Sequence, residues 1–449
     1  MHFFSNLNLI KTHYFSVVLS LIPISFIAGN MIININIILI ILSALIIYRS
    51  SLFRIDYFLL DKLIFLFFFL ILFNGAYNDL QLYIYDKEFS DWRGEFETIK
   101  KSLSFLRYLL LYLVLRFLIE KKIINLKLFF ITCFVSSLFV CFDIFYQYKF
   151  GQDIFGFKTL GSGRKLGGPF GDELIAGGFI QRFSLFSFFV LPLFFTNKSK
   201  FLSKYLIPIL FIIFLAGLIF SGNRMPLILF VFSIFLILLF NKQVKKYFLP
   251  FIIIFTLLFS IIFNFNSEVR TNFKNFYKDV SKIILIVLDK DLKNQRIPQY
   301  YREFSSFYDT WLLNKYIGGG VKNFRYYCHK RANIDRNSDF ICNMHPHNYY
   351  LEILTETGLV GFLICLSIFI LIIYISLFKK YFLNSPLNKN NIIVPFIFLF
   401  LVEIFPLKST GSFFTTGNTT YIILIMAILI GIIRNENSIE KNINNYRFK

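Results

Sequence analysis

The chain has 449 residues, of which 56% are apolar, only 16% are charged and 63 are phenylalanine. A soluble protein carries roughly a quarter charged residues to face water, so a set of water-soluble domains is excluded. Forty-seven basic against 26 acidic residues leave a net charge of +21, which would suit nucleic acid if the charge were clustered on one face. Phe, Ile, Asn, Lys and Tyr are all used heavily, as an AT-rich genome would dictate, so abundant Asn and Phe are discounted as functional signals.

Apolar runs near 20 residues recur from end to end, the length that crosses about 30 Å of hydrocarbon. They predict an all-α polytopic membrane protein of about 12 transmembrane helices. The spans fall near 14–29, 31–48, 57–75, 102–119, 127–148, 173–195, 205–221, 225–240, 247–265, 357–378, 391–407 and 419–433. The first follows a short basic stretch containing Lys11, but it lacks an A-x-A cleavage pattern and is read as an uncleaved anchor. Lys and Arg in short loops set the orientation. Arg49 and Arg54, Lys121 and Lys122, Lys198 and Lys200, Lys245 and Lys246, Lys379 and Lys380, and Arg434 all fall on one side. That side is the cytoplasm, and it holds both termini. The opposite loop 76–101 carries six acids against four bases. The positive charge is therefore mostly topology, and nucleic acid is not an expected partner.

The resulting organisation is 1–266, nine helices with short loops; 267–346, a large external loop; 347–433, a histidine-bearing helix and the last three spans; and 434–449, a cytoplasmic tail. Loops as long as 267–346 are functional or disordered, and this one carries signals of order. Ile297, Tyr300, Tyr301, Phe304, Phe307, Tyr308, Trp311 and Leu312 recur at helical spacing, an amphipathic helix with Pro298 in its first turn. Its apolar face can pack on the bundle or lie along the membrane surface.

Cys328 and Cys342 share this loop and are expected to form a disulfide in an oxidising compartment. Together with His329, His345 and His347 they could hold zinc, but the spacing matches no common zinc pattern, and no metal is expected. Asp289-Lys290-Asp291 mimics the D-x-D of nucleotide-sugar transferases, a tripeptide that charged loops produce by chance.

The most informative stretch runs from His345-Pro346-His347-Asn348 to Gly358-Leu359-Val360-Gly361. On a continuous helix Gly358 would fall about 20° from His347 and Gly361 about 40° to the other side. The glycines would then let another helix approach beneath the imidazole, while Glu352 and Glu356 face away. At a helix N-terminus the dipole disfavours the imidazolium and favours anions. A neutral imidazole there suits a general base beside a phosphate leaving group, and equally a histidine capping an interfacial helix.

His347-Asn348, nine residues, then Gly358-x-x-Gly361 resembles the signature of the bacterial O-antigen ligase and O-antigen polymerase superfamily. Ser221-Gly222-Asn223-Arg224-Met225-Pro226, Gly168-Pro169-Phe170-Gly171-Asp172-Glu173 through Arg182, and Gly318-Gly319-Gly320-Val321-Lys322-Asn323-Phe324 resemble the same family. Asn223 departs from the pattern. The resemblance implies a GT-C-like membrane glycosyltransferase of the bacterial inner membrane, needing no cofactor and no metal. It would transfer a glycan from undecaprenyl diphosphate, at the periplasmic face and with inversion, to a lipid A core or growing glycan acceptor. His347 would be the base. Arg224 would clamp the diphosphate, where arginine suits bidentate phosphate binding. Arg296 would be the second clamp and Arg302 its rival.

Further candidate contacts are His345, Asn348, Arg164, Arg182, Asp172 and Glu173, the last two expected to cap the sixth helix. Ionisable groups inside spans are costly and often functional. Arg107, Asp143 and Arg182 qualify, and a buried ion pair is as good a reading of them as substrate contact. Lys408 and Glu403 are expected to pair. The competing functions are a protein O-oligosaccharyltransferase, and a twelve-span transporter or flippase of lipid-linked glycans. A transporter should show two related halves, and none are visible.

Overall fold

The computed structural model describes residues 2–87, 94–159, 165–194, 200–241, 245–288, 297–331, 342, 347–383 and 385–447. The described residues are predominantly helical. The principal helices are α1 (His2–Ser20), α2 (Ile22–Ala28), α3 (Asn30–Tyr48), α4 (Leu59–Tyr85), α5 (Glu97–Glu120), α6 (Leu126–Phe150), α7 (Ala176–Phe183), α8 (Ser187–Phe194) and α9 (Lys200–Phe220). They continue with α10 (Arg224–Phe240), α11 (Phe248–Phe265), α12 (Ser267–Val287), α13 (Gln299–Trp311), α14 (Phe324–Tyr327), α15 (Tyr349–Ile373), α16 (Lys379–Tyr381), α17 (Val394–Glu403) and α18 (Thr416–Arg447).

Eight helical segments are long and apolar enough to cross a membrane, and three shorter apolar helices stand at Tyr205–Phe220, Arg224–Phe240 and Val394–Glu403. The chain is thus a polytopic helical membrane protein. The span expected over 173–195 is divided instead. Its helix begins only at Ala176, and a 3-10 turn over Ser184–Phe186 separates α7 from α8. Asp172 and Glu173 lie exposed in the turn before it, and no side chain caps that helix. Both acids therefore miss the capping position expected of them, because the helix starts three residues late.

Helix α18 runs through the centre, with 83% of its apolar window buried, whereas the span ending in α11 is 6% buried and lines the periphery. Close approach of α18 to α5 uses Gly431, where a Cβ would meet the Ile119 side chain and the Arg116 carbonyl. At that end Arg116 pairs with Asp61 at 2.7 Å, and the Tyr112 hydroxyl donates to Asp61 at 2.6 Å. At the other end of α5, Thr98 meets Asn323 of the long loop at 2.7 Å. One helix therefore links a charged cluster at one face to the loop-covered site at the other.

Candidate active site

Asn348 builds the start of α15. Its side-chain oxygen accepts from the Tyr350 and Leu351 amides at 3.0 and 3.2 Å, satisfying donors that a helix start leaves unpaired. Its amide nitrogen donates to the Pro406 carbonyl at 2.8 Å. The Asn348 side chain thereby ties the helix start to the turn after α17. His347 stands just ahead, half-buried, with a left-handed φ of 53°, a conformation that costs a non-glycine residue roughly 1–2 kcal/mol.

Beneath this turn lies a charge cluster. Glu403 accepts from Arg182 at 2.7 Å, from Lys408 at 2.6 Å and from the Tyr349 hydroxyl at 2.6 Å. Arg182 also donates to the Asn418 side-chain oxygen at 2.6 Å and lies over the Tyr421 ring, 5.0 Å from its centroid. Arg182 is thus committed to an ion pair, and Lys408 pairs with Glu403 as expected. Burial pulls the Lys408 ammonium down to about 8 against the opposing pull of Glu403. Two cations share one carboxylate, so the cluster keeps one surplus positive charge under the head of α15.

The glycines do something other than the helix wheel predicts. Gly358 interrupts α15 with φ 67° and ψ −173°, a region open essentially to glycine alone. Residues 315–320 thread across the break. Gly319 and Gly320 amides donate to the Thr355 and Glu356 carbonyls at 3.0 and 2.9 Å, while the Leu359 and Val360 amides donate to the Lys315 and Tyr316 carbonyls at 2.9 and 3.2 Å. Asn74 of α4 bridges the crossing, donating to Ile317 and Glu356 carbonyls at 2.6 and 2.8 Å. Four backbone groups freed by the break are satisfied, as burial in a membrane demands. Glu352 and Glu356 turn into the bundle. Glu352 accepts from Ser412 and the Phe413 amide, and Glu356 accepts from the Lys322 amide at 2.7 Å.

Arg224 opens α10 and lies over the Phe276 ring of α12 at 5.4 Å from its centroid. It lines a small pocket with Leu227, Val269 and Phe273. Leu227 and Phe273 are shared with an apolar groove of about 510 Å³ between α10 and α11, also lined by Val231, Phe232, Phe255 and Phe259. Phe232 packs on Phe405 at 5.4 Å, next to the Pro406 carbonyl that holds Asn348. Groove and histidine helix therefore meet at the turn 405–408.

The remaining expected residues divide. Cys328 and Cys342 are joined as a disulfide with Cα atoms 5.9 Å apart. His329 Nδ1 lies 3.7 Å from the Cys342 sulfur. These three form a cluster of metal-ligand type, with both sulfurs already bonded to each other. Arg302, the rival clamp, is half-buried on α13. Asp143 accepts from the Ile154 amide at 2.8 Å and anchors the loop after α6. Arg107 donates to the Ser104 carbonyl and the Tyr108 hydroxyl. Arg164, Arg296 and His345 lie outside the described residues. Tyr349, Asn74 and the Glu356–Lys322 contact had no sequence signal beyond residue type.

A polytopic helical membrane protein with a polar site under a loop and an apolar groove packed against the same turn is the class of molecule these features define. Residues 209–366 match the family model described as O-Antigen ligase, which supports membership of the O-antigen ligase and polymerase superfamily. The matched segment runs from the groove and Arg224 through the long loop to the Gly358 break. An O-antigen ligase domain implies glycosyltransferase-type activity in polysaccharide biosynthesis, with lipid-linked glycan and acceptor as partners in general. No curated protein matches the chain.

Proposed function

We propose that this protein transfers a glycan from undecaprenyl diphosphate to an acceptor hydroxyl, either a lipid A core or a growing glycan, at the periplasmic face of the inner membrane. The observation that carries this reading is the apolar groove with Arg224 at one end, joined through Phe232, Phe405 and Pro406 to the Asn348 cap beside His347. A polyprenyl chain fits an apolar groove, and a diphosphate needs a cation where water is scarce. His347 takes the proton of the acceptor hydroxyl as its oxygen attacks the anomeric carbon. The bond from that carbon to the diphosphate oxygen breaks, and the leaving diphosphate keeps the electron pair beside Arg224. A single displacement inverts the anomeric centre. Arg296 is proposed as the second clamp.

The test is complementation of hosts lacking their own O-antigen ligase or polymerase, each supplied with this organism's glycan cluster, with lipopolysaccharide resolved on gels. Long-chain lipopolysaccharide restored in one host by wild type and lost with His347→Ala at normal membrane levels identifies both base and acceptor. A His347→Ala variant as active as wild type overturns the assignment and favours a transporter.

A further inference from the structure

Helix α13 turns the wrong face inward for a water-covered loop. Glu303, Ser306, Phe307 and Thr310 are buried, while Tyr300, Tyr301, Phe304 and Tyr308 are exposed, Phe304 by 53%. Tyr316, in the turn that follows, is 68% exposed. The sequence left this apolar flank to pack on the bundle or on the membrane, and the bundle does not take it.

The depth of the helix decides what does. Beyond the break at Gly358 the candidate span runs on to Tyr381, about 36 Å at 1.5 Å per residue, against a hydrocarbon core of about 30 Å. Lys379 and Lys380 sit at its far end. About 20 residues back from them, the near edge of the hydrocarbon falls close to Gly358. Lys315 and Tyr316 are hydrogen-bonded to Leu359 and Val360 at that level. The Thr355 hydroxyl, which donates to the Phe307 carbonyl at 3.3 Å, sets the body of α13 within the headgroup layer. Leu359, Val360, Leu363 and Ile370 are exposed on α15, and Leu313 and Tyr316 continue that lipid-facing surface upward. On a helix packed sideways at this depth, one flank meets lipid and the other water. Ser305 and Asp309 lie on the flank opposite the aromatic one.

The preceding helix adds complementary charge. A single residue, Asn266, separates α11 from α12 and caps the latter. α12 exposes Tyr277, Val280 and Ile284, with exposed Lys274 and Lys278 nearby. A basic amphipathic helix leaving a span lies in the interface and attracts anionic lipid headgroups.

We propose that α13 is an interfacial helix, its Tyr300–Tyr301–Phe304–Tyr308 flank seated in the headgroup layer of the outer leaflet, so that the long loop is moored to the membrane beside the site. The proposal does not depend on the reaction. Its test is fluorescence of the full-length protein in vesicles of phosphatidylethanolamine and phosphatidylglycerol. The reporters are Trp311 in a Trp92→Phe background, and Phe304→Trp in a Trp92→Phe/Trp311→Phe background. Lipids brominated high on the acyl chain should quench the residue-304 indole severalfold more than lipids brominated near the chain end, with acrylamide quenching weak. Trp311, on the same flank, should follow the same order. Absent lipid quenching at position 304, with free acrylamide access, overturns the proposal and leaves the flank to a glycan or protein partner. Normal membrane levels and an unchanged melting temperature of each variant keep either outcome interpretable.

Discussion

Gly318 and Gly358 meet backbone to backbone. A Cβ on Gly318 would fall on the Gly358 amide nitrogen, and one on Gly358 would fall on the Tyr316 carbonyl. The long loop is locked into the broken helix that carries His347, so movement of one is transmitted to the other.

Gly358→Ala should therefore be among the most damaging single-methyl changes in the chain. Its backbone region alone costs roughly 1–3 kcal/mol for a non-glycine residue, and the clash with Tyr316 adds to that. Gly178, in helix α7 with open space around its Cβ position, is the control. Gly178→Ala should be neutral or stabilising by about 0.5–1 kcal/mol. Melting temperatures in detergent compare the two, and equal values would refute the interlock.

The cluster at Glu403 predicts a rank order. Glu403→Gln strands Arg182 and Lys408 together, and breaking a buried pair from one side costs about 3–5 kcal/mol. Lys408→Met leaves Arg182 and Glu403 as a neutral pair and should cost far less. Thermal unfolding of both variants checks the order.

A pH dependence follows from Lys408. Its folded-state value of about 8 lies below its ordinary 10.5, so between those values the unfolded chain binds more protons. Stability contributed by this group rises with pH through that window and is at its lowest below about 8. The difference in melting temperature between wild type and Lys408→Met should shift in favour of wild type from pH 8 to 10. A difference independent of pH would contradict the burial argument.

Arg224→Ala should lower transfer by about 10²–10³-fold, as loss of one preorganised stabilising group does, and Arg224→Lys should restore only part, since an ammonium lacks the bidentate fork. Phe232→Asp, placing charge in the groove, should raise the donor concentration needed for half-maximal rate. In vitro transfer with a purified lipid-linked glycan separates the two effects.

Cys328→Ser should cost about 3 kcal/mol, the closure entropy of a loop of 14 residues. The shift in melting temperature should match that of wild type under reductant.

Much of this was legible beforehand. Repeating apolar runs gave the polytopic class, and the expected pairing of Lys408 with Glu403 is present. In the sequence Gly358 stands out on a helix wheel, which presumes an unbroken helix. A glycine that relieves crowding and one that supplies φ 67° look alike in sequence. Asn74 carries no mark in a sequence where Asn is abundant throughout, and only its place between two carbonyls distinguishes it. The face buried by α13 was also hidden. Hydrophobic periodicity reports which residues avoid water, and in a membrane protein lipid satisfies that requirement as well as a core does.

Sequence by itself determined the polytopic class and marked the His347-Asn348 to Gly361 stretch, because hydrocarbon thickness and motif spacing are one-dimensional quantities. Tertiary structure alone decided that Arg182 joins Lys408 on Glu403, that the loop threads the break at Gly358, and that Arg224 lines a pocket sharing Leu227 and Phe273 with an apolar groove. Each of these depends on residues between about 40 and 220 positions apart being brought within a few ångströms, and nothing local in the chain encodes that.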